Sequence, residues 1–298
     1  MVQHTMTPAD TFHAPLRLTK HQGAGNDFLV LVDIEDHHAL GGALVRALCD
    51  RRFGVGADGV IRILAGTDGA DLTMDLVNAD GSTAEMSGNG IRCLAQAAVA
   101  AGLVTPPTFT VATLGGVRTV EYSVSPHAGA DADPGAGPDW ASVDMGPATL
   151  GPDRPSVHAG QRSRLVDMGN PHLVLLGEDP TGLDVTELGS TLQSEFPDGI
   201  NVEFIALGPG PDAITLRVWE RGVGETLACG TGSAASAAAA RDWGVVGLTV
   251  DVHNPGGMLR VTIDDDGPGD GTVVLSGPVA FVADIEVDPV SLLAGRRP

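Results

Sequence analysis

Lysine is almost missing from this chain: Lys20 is the only one among 298 residues. Aromatic side chains are scarce too, at 4%, so Val, Leu, Ile and Ala must fill the core, and the 43% hydrophobic content is enough for one. The length admits one large domain or two medium ones. Cations of both kinds number 17 against 38 carboxylates. The resulting net charge of −21 argues against an electrostatic grip on nucleic acid or anionic lipid. No apolar run is long enough to span a bilayer. The opening stretch MVQHTMTPADTFHAP lacks a basic region followed by an apolar core, so it reads as a short disordered lead-in and not as a signal peptide. The three cysteines, Cys49, Cys93 and Cys229, are odd in number and widely spaced. That spacing suggests neither a disulfide framework nor a zinc site, and it fits a reducing, cytoplasmic compartment.

What the chain does have is a repeat. EMSGNGIRC, Glu85 to Cys93, and LACGTGSAA, Leu227 to Ala235, share the pattern Ser/Cys-Gly-x-Gly, and each opens an alanine-rich helix. Gly102 and Gly244, which end those helices, stand at the same separation as Ser87 and Cys229. So do Asn78 and Glu220, at the ends of TMDLVN and TLRVWE. The pairs Gly115-Gly116 and Gly256-Gly257, and the stretches GNDFLVLV and GNPHLVLL, repeat at nearly that offset. Landmarks in one order at nearly one offset imply two copies of one structural unit facing each other.

Each copy reads as short Val/Leu/Ile-rich strands, a Gly-rich turn, a long helix and further strands. Those further strands are TFTVAT, TVEYSVS, LTVDVH, LRVTI, TVVLS and VAFVADIEV. A helix made of small residues on every face, as in GSAASAAAARDWG, must be packed closely by surrounding strands. The fold class is α+β: two pseudo-symmetric duplicated halves, each with mainly antiparallel strands wrapped around a central helix. The first half is expected over 14–126 and the second over 140–278, with a C-terminal strand at about 279–288 expected to return to the first half. Between them, 127–139 falls in SPHAGADADPGAGPD, a flexible linker by composition. DDDGPGDGT reads as a hairpin loop.

A helix N-terminus carries unpaired N–H groups and partial positive charge, and glycines let a ligand approach the backbone. SGNG and CGTG are therefore good seats for a carboxylate. A cysteine at such a cap is expected to have its thiolate stabilised, which singles out Cys229. Cys49 and Cys93 read as small core hydrophobes. Two half-sites facing across a pseudo-twofold suggest one acid/base group on each face of a single carbon, an arrangement that inverts a stereocentre. Pyridoxal phosphate would ease such chemistry but needs a Schiff-base lysine. Lys20 has no phosphate cradle beside it in the sequence, so no cofactor is expected, and no metal.

The stretches KHQGAGNDFLVL, RRFGVGADG, NADGSTAEMSGNGIRC, MGNPHLVL, INVEFI and VWERGVGETLACGTGSAA together resemble the diaminopimelate epimerase family. They occur in that family's order and span about 16–285. The resemblance implies a cofactor-independent isomerase that interconverts LL- and meso-2,6-diaminopimelate for lysine and peptidoglycan synthesis in the cytoplasm, with its site between the halves. It implies that Cys229 is one of two catalytic thiol positions, with Glu220 as its acidic helper and His172 as the helper of the other. Gly88, Asn89, Gly230 and Thr231 would hold the reacting carboxylate. Asn26, Asn78, Asn170, Asn201 and Arg221 would hold the rest of the substrate, including its distal amino-acid end. The expected partner is that small molecule, with no nucleic acid and no membrane; a homodimer is compatible with this reading.

The chain departs from the family at Ser87, where the other catalytic cysteine is expected. A hydroxyl is a far poorer base than a thiolate, and Cys93 is too far along the helix to substitute. Three readings stay open. Ser87 is an engineered change, or it is a natural partner giving a slow or one-sided reaction with help from His172, or the protein binds diaminopimelate without turnover. A related racemase or dehydratase of the proline racemase type is the alternative within enzymes.

Overall fold

The computed structural model describes residues 15–124, 139–154, 162–264 and 271–295. The lead-in, nearly all of the expected linker and most of the DDDGPGDGT loop lie outside the described residues.

The N-terminal half runs β1 (Leu16–Gly23), β2 (Asn26–Val32), α1 (Gly42–Cys49), β3 (Gly59–Ala65), β4 (Leu72–Asn78), α2 (Gly88–Ala100), β5 (Thr108–Thr113) and β6 (Gly116–Ser123). Then come β7 (Asp139–Pro147) and β8 (Thr149–Arg154). The C-terminal half runs β9 (Arg162–Asp167), β10 (Pro171–Leu176), α3 (Val185–Gln193), β11 (Asn201–Leu207), β12 (Ala213–Glu220) and a short β13 (Gly224–Thr226). It continues through α4 (Gly230–Asp242), β14 (Thr249–Asn254), β15 (Gly257–Ile263), β16 (Thr272–Val287) and α5 (Pro289–Ala294).

Strand pairing repeats with the sequence. β1 to β7 pair in chain order as antiparallel, parallel, antiparallel, parallel, antiparallel, antiparallel. The series β9, β10, β11, β12, β14, β15, β16 pairs in the same six senses. Each half is a sheet curled around one helix, α2 or α4, and β7 and β16 pair antiparallel where the halves join. Each half also lends its neighbour a closing segment. The end of β16 pairs with β1, Ala280 to Val287 against Gln22 to Leu16, and β8 pairs with β9. TVVLS and VAFVADIEV, separate runs by sequence, are thus one strand passing through Gly277–Pro278.

The residues explain the wrapping. In β2 and β3 consecutive side chains are buried, because the sheet covers the central helix on one face and α1 packs on the other. α3 covers β10, β11 and β12 in the same way. α2 buries Ile91 and Leu94 completely, each contributing ~1.5–3 kcal/mol. α4 buries alanines at almost every turn, so the surrounding strands approach closely and larger side chains would overpack them. Gly102 (φ 70°) and Gly244 (φ 73°) end the two helices in the left-handed region that glycine tolerates.

Candidate active site

Ser87 and Cys229 are the N-cap residues of α2 and α4, with matching extended backbones at φ −140° and −123°. Ser87 Oγ accepts from the Gly90 N–H at 3.0 Å, and Cys229 Sγ accepts from the Gly232 N–H at 3.4 Å. The first helical residues, Gly88 and Gly230, meet across the seam. A Cβ on Gly230 would lie 3.1 Å from Gly88 Cα and 2.9 Å from Leu275 Cδ2, and one on Gly88 would lie 2.6 Å from the same Leu275 atom. Only glycine permits that approach, which brings two positive helix ends to one place.

The polar residues around this point form two matching sets. Asn26 is the first residue of β2, and Asn170 immediately precedes β10. Asn89 Nδ2 donates to Asn26 Oδ1 at 3.2 Å; in the other half Asn170 Nδ2 donates to Thr231 Oγ1 at 3.5 Å. Asn89 Nδ2 also crosses the seam to the Ala228 carbonyl, 3.2 Å away. Asn78 ends β4 and donates to Ser82 Oγ at 3.1 Å. Glu220 ends β12 in the corresponding place and accepts from the Thr226 hydroxyl, because β13 folds back along β12. That fold-back also brings the Glu220 carboxylate to the Cys229 thiol.

Asn201 and Arg221 are joined through the Arg221 backbone. Asn201 is buried, donating to the Pro171 carbonyl at 3.1 Å and accepting from the Arg221 backbone N–H at 2.9 Å. The Arg221 side chain is exposed and reaches the Asp198 carbonyl at 3.3 Å.

His172 is fully buried and held through both ring nitrogens. Its Nδ1 is 2.7 Å from Glu203 Oε1 and its Nε2 is 3.0 Å from Asn170 Oδ1. Both ring nitrogens are thus engaged by residues of the Cys229 half. Glu203 was not singled out by sequence. It is fully buried on β11, and parallel pairing of β10 with β11 sets it beside His172. Its Oε1 lies just under the α4 cap, 2.8 Å from where a Gly232 Cβ would be. The available signal was a carboxylate inside the apolar run INVEFI.

The electrostatics of the Cys229 cap also depart from expectation. The Gly232 N–H and the Thr231 hydroxyl favour the thiolate, but burial, Glu220 and Glu203 together push the thiol well above its ordinary range. Burial likewise raises Glu220 and Glu203, opposed in both by His172. These influences favour the neutral thiol over the thiolate, with the Glu220 carboxylate beside it. Cys49 and Cys93 are buried with their thiols pushed up to about 12, as core cysteines. Among the described residues no cluster of His, Cys, Asp and Glu could hold a metal ion.

A duplicated α+β scaffold with two caps meeting at one point, one bearing a thiol, defines an isomerase of the epimerase and racemase class. The sequence comparisons narrow the class. The family model for diaminopimelate epimerase matches residues 18–150 and 164–282, and the chain belongs to that family. A curated diaminopimelate epimerase from Mycolicibacterium paratuberculosis is 40% identical over 303 aligned residues, 91% of this chain and 97% of the relative. One from Desulfitobacterium hafniense is 38% identical, covering 90% of this chain and 96% of the relative. Among solved structures, a PhzF-family phenazine biosynthesis protein from Bacillus anthracis superposes with TM-score 0.71 at 14% identity, covering 92% of this chain and 99% of the other. A hydroxyproline epimerase from Agrobacterium vitis superposes with TM-score 0.67 at 18% identity, covering 94% and 95%. At those identities the likeness shows the fold alone.

Proposed function

We propose that this chain epimerises LL-2,6-diaminopimelate to the meso form in lysine and peptidoglycan synthesis, without a cofactor, by a two-base mechanism in which Ser87 limits one side. The observation that carries it is the meeting of the Ser87 and Cys229 helix caps at Gly88 and Gly230. A carboxylate held on both N-termini puts its α-carbon between the two caps. Negative charge spreading onto the carboxylate oxygens as the α-proton leaves is stabilised by the N–H groups of both helix ends. Cys229, handing its proton to Glu220, removes the α-proton from one face, and Ser87 delivers a proton on the other. The reverse stereochemistry asks the Ser87 hydroxyl to act as base, which it does poorly.

In this reading Gly88, Asn89, Gly230 and Thr231 surround the reacting carboxylate. Asn26, Asn78, Asn170, Asn201 and Arg221 serve the rest of the substrate, with Arg221 as the fork for the distal carboxylate. His172 acts through Asn170 and Glu203. The proposal extends to a cytoplasmic setting and a small-molecule partner, in keeping with the acidic chain and with the lack, among the described residues, of any helix long and apolar enough to cross a membrane. A homodimer is compatible with it.

A second reading, a diaminopimelate-binding protein without turnover, is favoured by Ser87 itself. Deuterium exchange at the α-carbon separates the two. LL- and meso-diaminopimelate are incubated with the chain in deuterated water, and label and stereochemistry are followed separately beside a Ser87→Cys variant. Exchange from one stereoisomer, becoming full epimerisation in the variant at roughly 100-fold higher rate or more, is the expected result. Binding without exchange in the parent would leave the second reading standing.

A further inference from the structure

The N-terminal half holds a buried charge that the reaction as described does not use. Arg92 lies on α2, one turn inside the Ser87 cap, and is fully buried. Nη1 donates to the Gly88 carbonyl at 3.0 Å and Nη2 to Asn89 Oδ1 at 2.8 Å, while Nε has no partner. No carboxylate pairs with the guanidinium among the described residues. Burial pulls it down to about 10, which leaves it charged at neutral pH.

Space for this group is built into two strands. A Cβ on Gly23 of β1 would stand 3.0 Å from Nη2, and one on Gly277 of β16 would stand 3.2 Å from Cζ and 3.3 Å from Nε. An uncompensated buried cation destabilises a fold, and an apolar side chain of similar volume serves packing better. The duplicated helix meets its packing needs at the corresponding position with Ala234. Packing therefore gives no reason for an arginine here.

The contacts of Arg92 lead to the candidate site. With its Oδ1 held by the guanidinium, the Asn89 amide can only turn its Nδ2 toward Asn26 Oδ1 and the Ala228 carbonyl. Ala228 immediately precedes Cys229, so one amide spans the two half-sites. We propose that Arg92 is a positioning residue: its guanidinium fixes Asn89, and through it the Cys229 cap, and keeps an unpaired positive charge behind the α2 N-terminus where the reacting carboxylate binds. This inference rests on the epimerase reading of the site.

The test compares Arg92→Met and Arg92→Lys with the parent by melting temperature, by meso-diaminopimelate binding in titration calorimetry and by α-proton exchange. Arg92→Met is expected to melt no lower than the parent, to bind roughly tenfold more weakly and to exchange at least as much more slowly. Arg92→Lys, keeping the charge, is expected to restore most of the binding. Parent-like binding and exchange in Arg92→Met would overturn the inference, and so would losses that only track a fall in its melting temperature. Should Arg92→Met not fold, Arg92→Gln, which removes the charge, combined with Asn89→Ala decides. If both act through one hydrogen bond the double variant matches Asn89→Ala, whereas independent, multiplying losses would overturn the inference. A parent and a Ser87→Cys variant that neither bind nor exchange diaminopimelate would defeat the epimerase reading; a parent that binds, with Arg92→Met binding equally, would defeat only the role of Arg92.

Discussion

Behind Ser87 the molecule buries a cation, Arg92; behind Cys229 it buries a carboxylate, Glu203, with Glu220 beside the thiol. The backbones at the two caps match, and so do the strand pairings around them. The side chains at corresponding places do not. Phe28 stands where the other half has His172, Ile61 where it has Glu203, Asn78 where it has Glu220, and Arg92 where it has Ala234. Duplication preserved the geometry needed to hold one carboxylate between two helix ends, while the charges diverged. On the reaction proposed above, the cation behind Ser87 favours holding the anion, and the thiol beside two carboxylates favours storing and releasing a proton.

Removing the thiol breaks this comparison most severely. Cys229→Ala leaves both helix ends and Arg92 in place but takes away the proton carrier of its half. α-Proton exchange should fall by roughly 10³-fold, within the range that positioned acid–base groups contribute, while diaminopimelate binding changes little. A loss of binding equal to the loss of exchange would mean that the caps are not divided in labour as argued. Closing the gap between the caps should cost less. Gly230→Ala drives a methyl group against Leu275 Cδ2 at 2.9 Å and Gly88 Cα at 3.1 Å, forcing the helix ends apart. A misplacement of that size is expected to lower kcat/KM by about 100-fold and stability by about 1–3 kcal/mol, read by exchange kinetics and thermal unfolding. Unchanged kinetics would show that close approach of the two N-termini is not what positions the substrate.

Much of this was legible in the sequence, for a physical reason. Glycines at Gly102, Gly244, Gly116 and Gly257 mark left-handed positions that few other residues accept, so they kept the duplication visible after the side chains diverged. A different constraint, close approach of the two helix ends, explains the glycines at Gly88 and Gly230. The parallel pairings were not legible, because they join strands distant in the chain. With them went Glu203, which meets His172 only through the β10–β11 register. Arg92 was hidden for a related reason: one charged residue in GIRCLAQAA carries no spacing signal, and Gly23 and Gly277 come from opposite ends of the chain. The short helices α1, α3 and α5 also escaped, being defined by the sheet face they cover more than by a long periodic pattern. The thiolate expected at the Cys229 cap failed because local reasoning saw the helix end and not the two carboxylates that the fold brings to it.

That last reversal gives the finest test of the contrast between the halves, a shift in pH dependence. The Cys229 thiol is raised by burial first, then by Glu220 and Glu203. Exchange that requires the thiolate should therefore climb with pH across the neutral range, since more thiol ionises as pH approaches its elevated pKa. Glu220→Gln removes one of the two like charges, which lowers the thiol pKa, so the rising limb should move to lower pH. Against that gain stands the loss of a proton acceptor, so the plateau above the limb should fall even as the limb shifts. Both effects are read from one exchange-rate profile in buffers of constant ionic strength. A limb that moved upward, or did not move, would mean that the Glu220 charge does not govern the thiol and that the two half-sites differ less in electrostatics than their residues suggest.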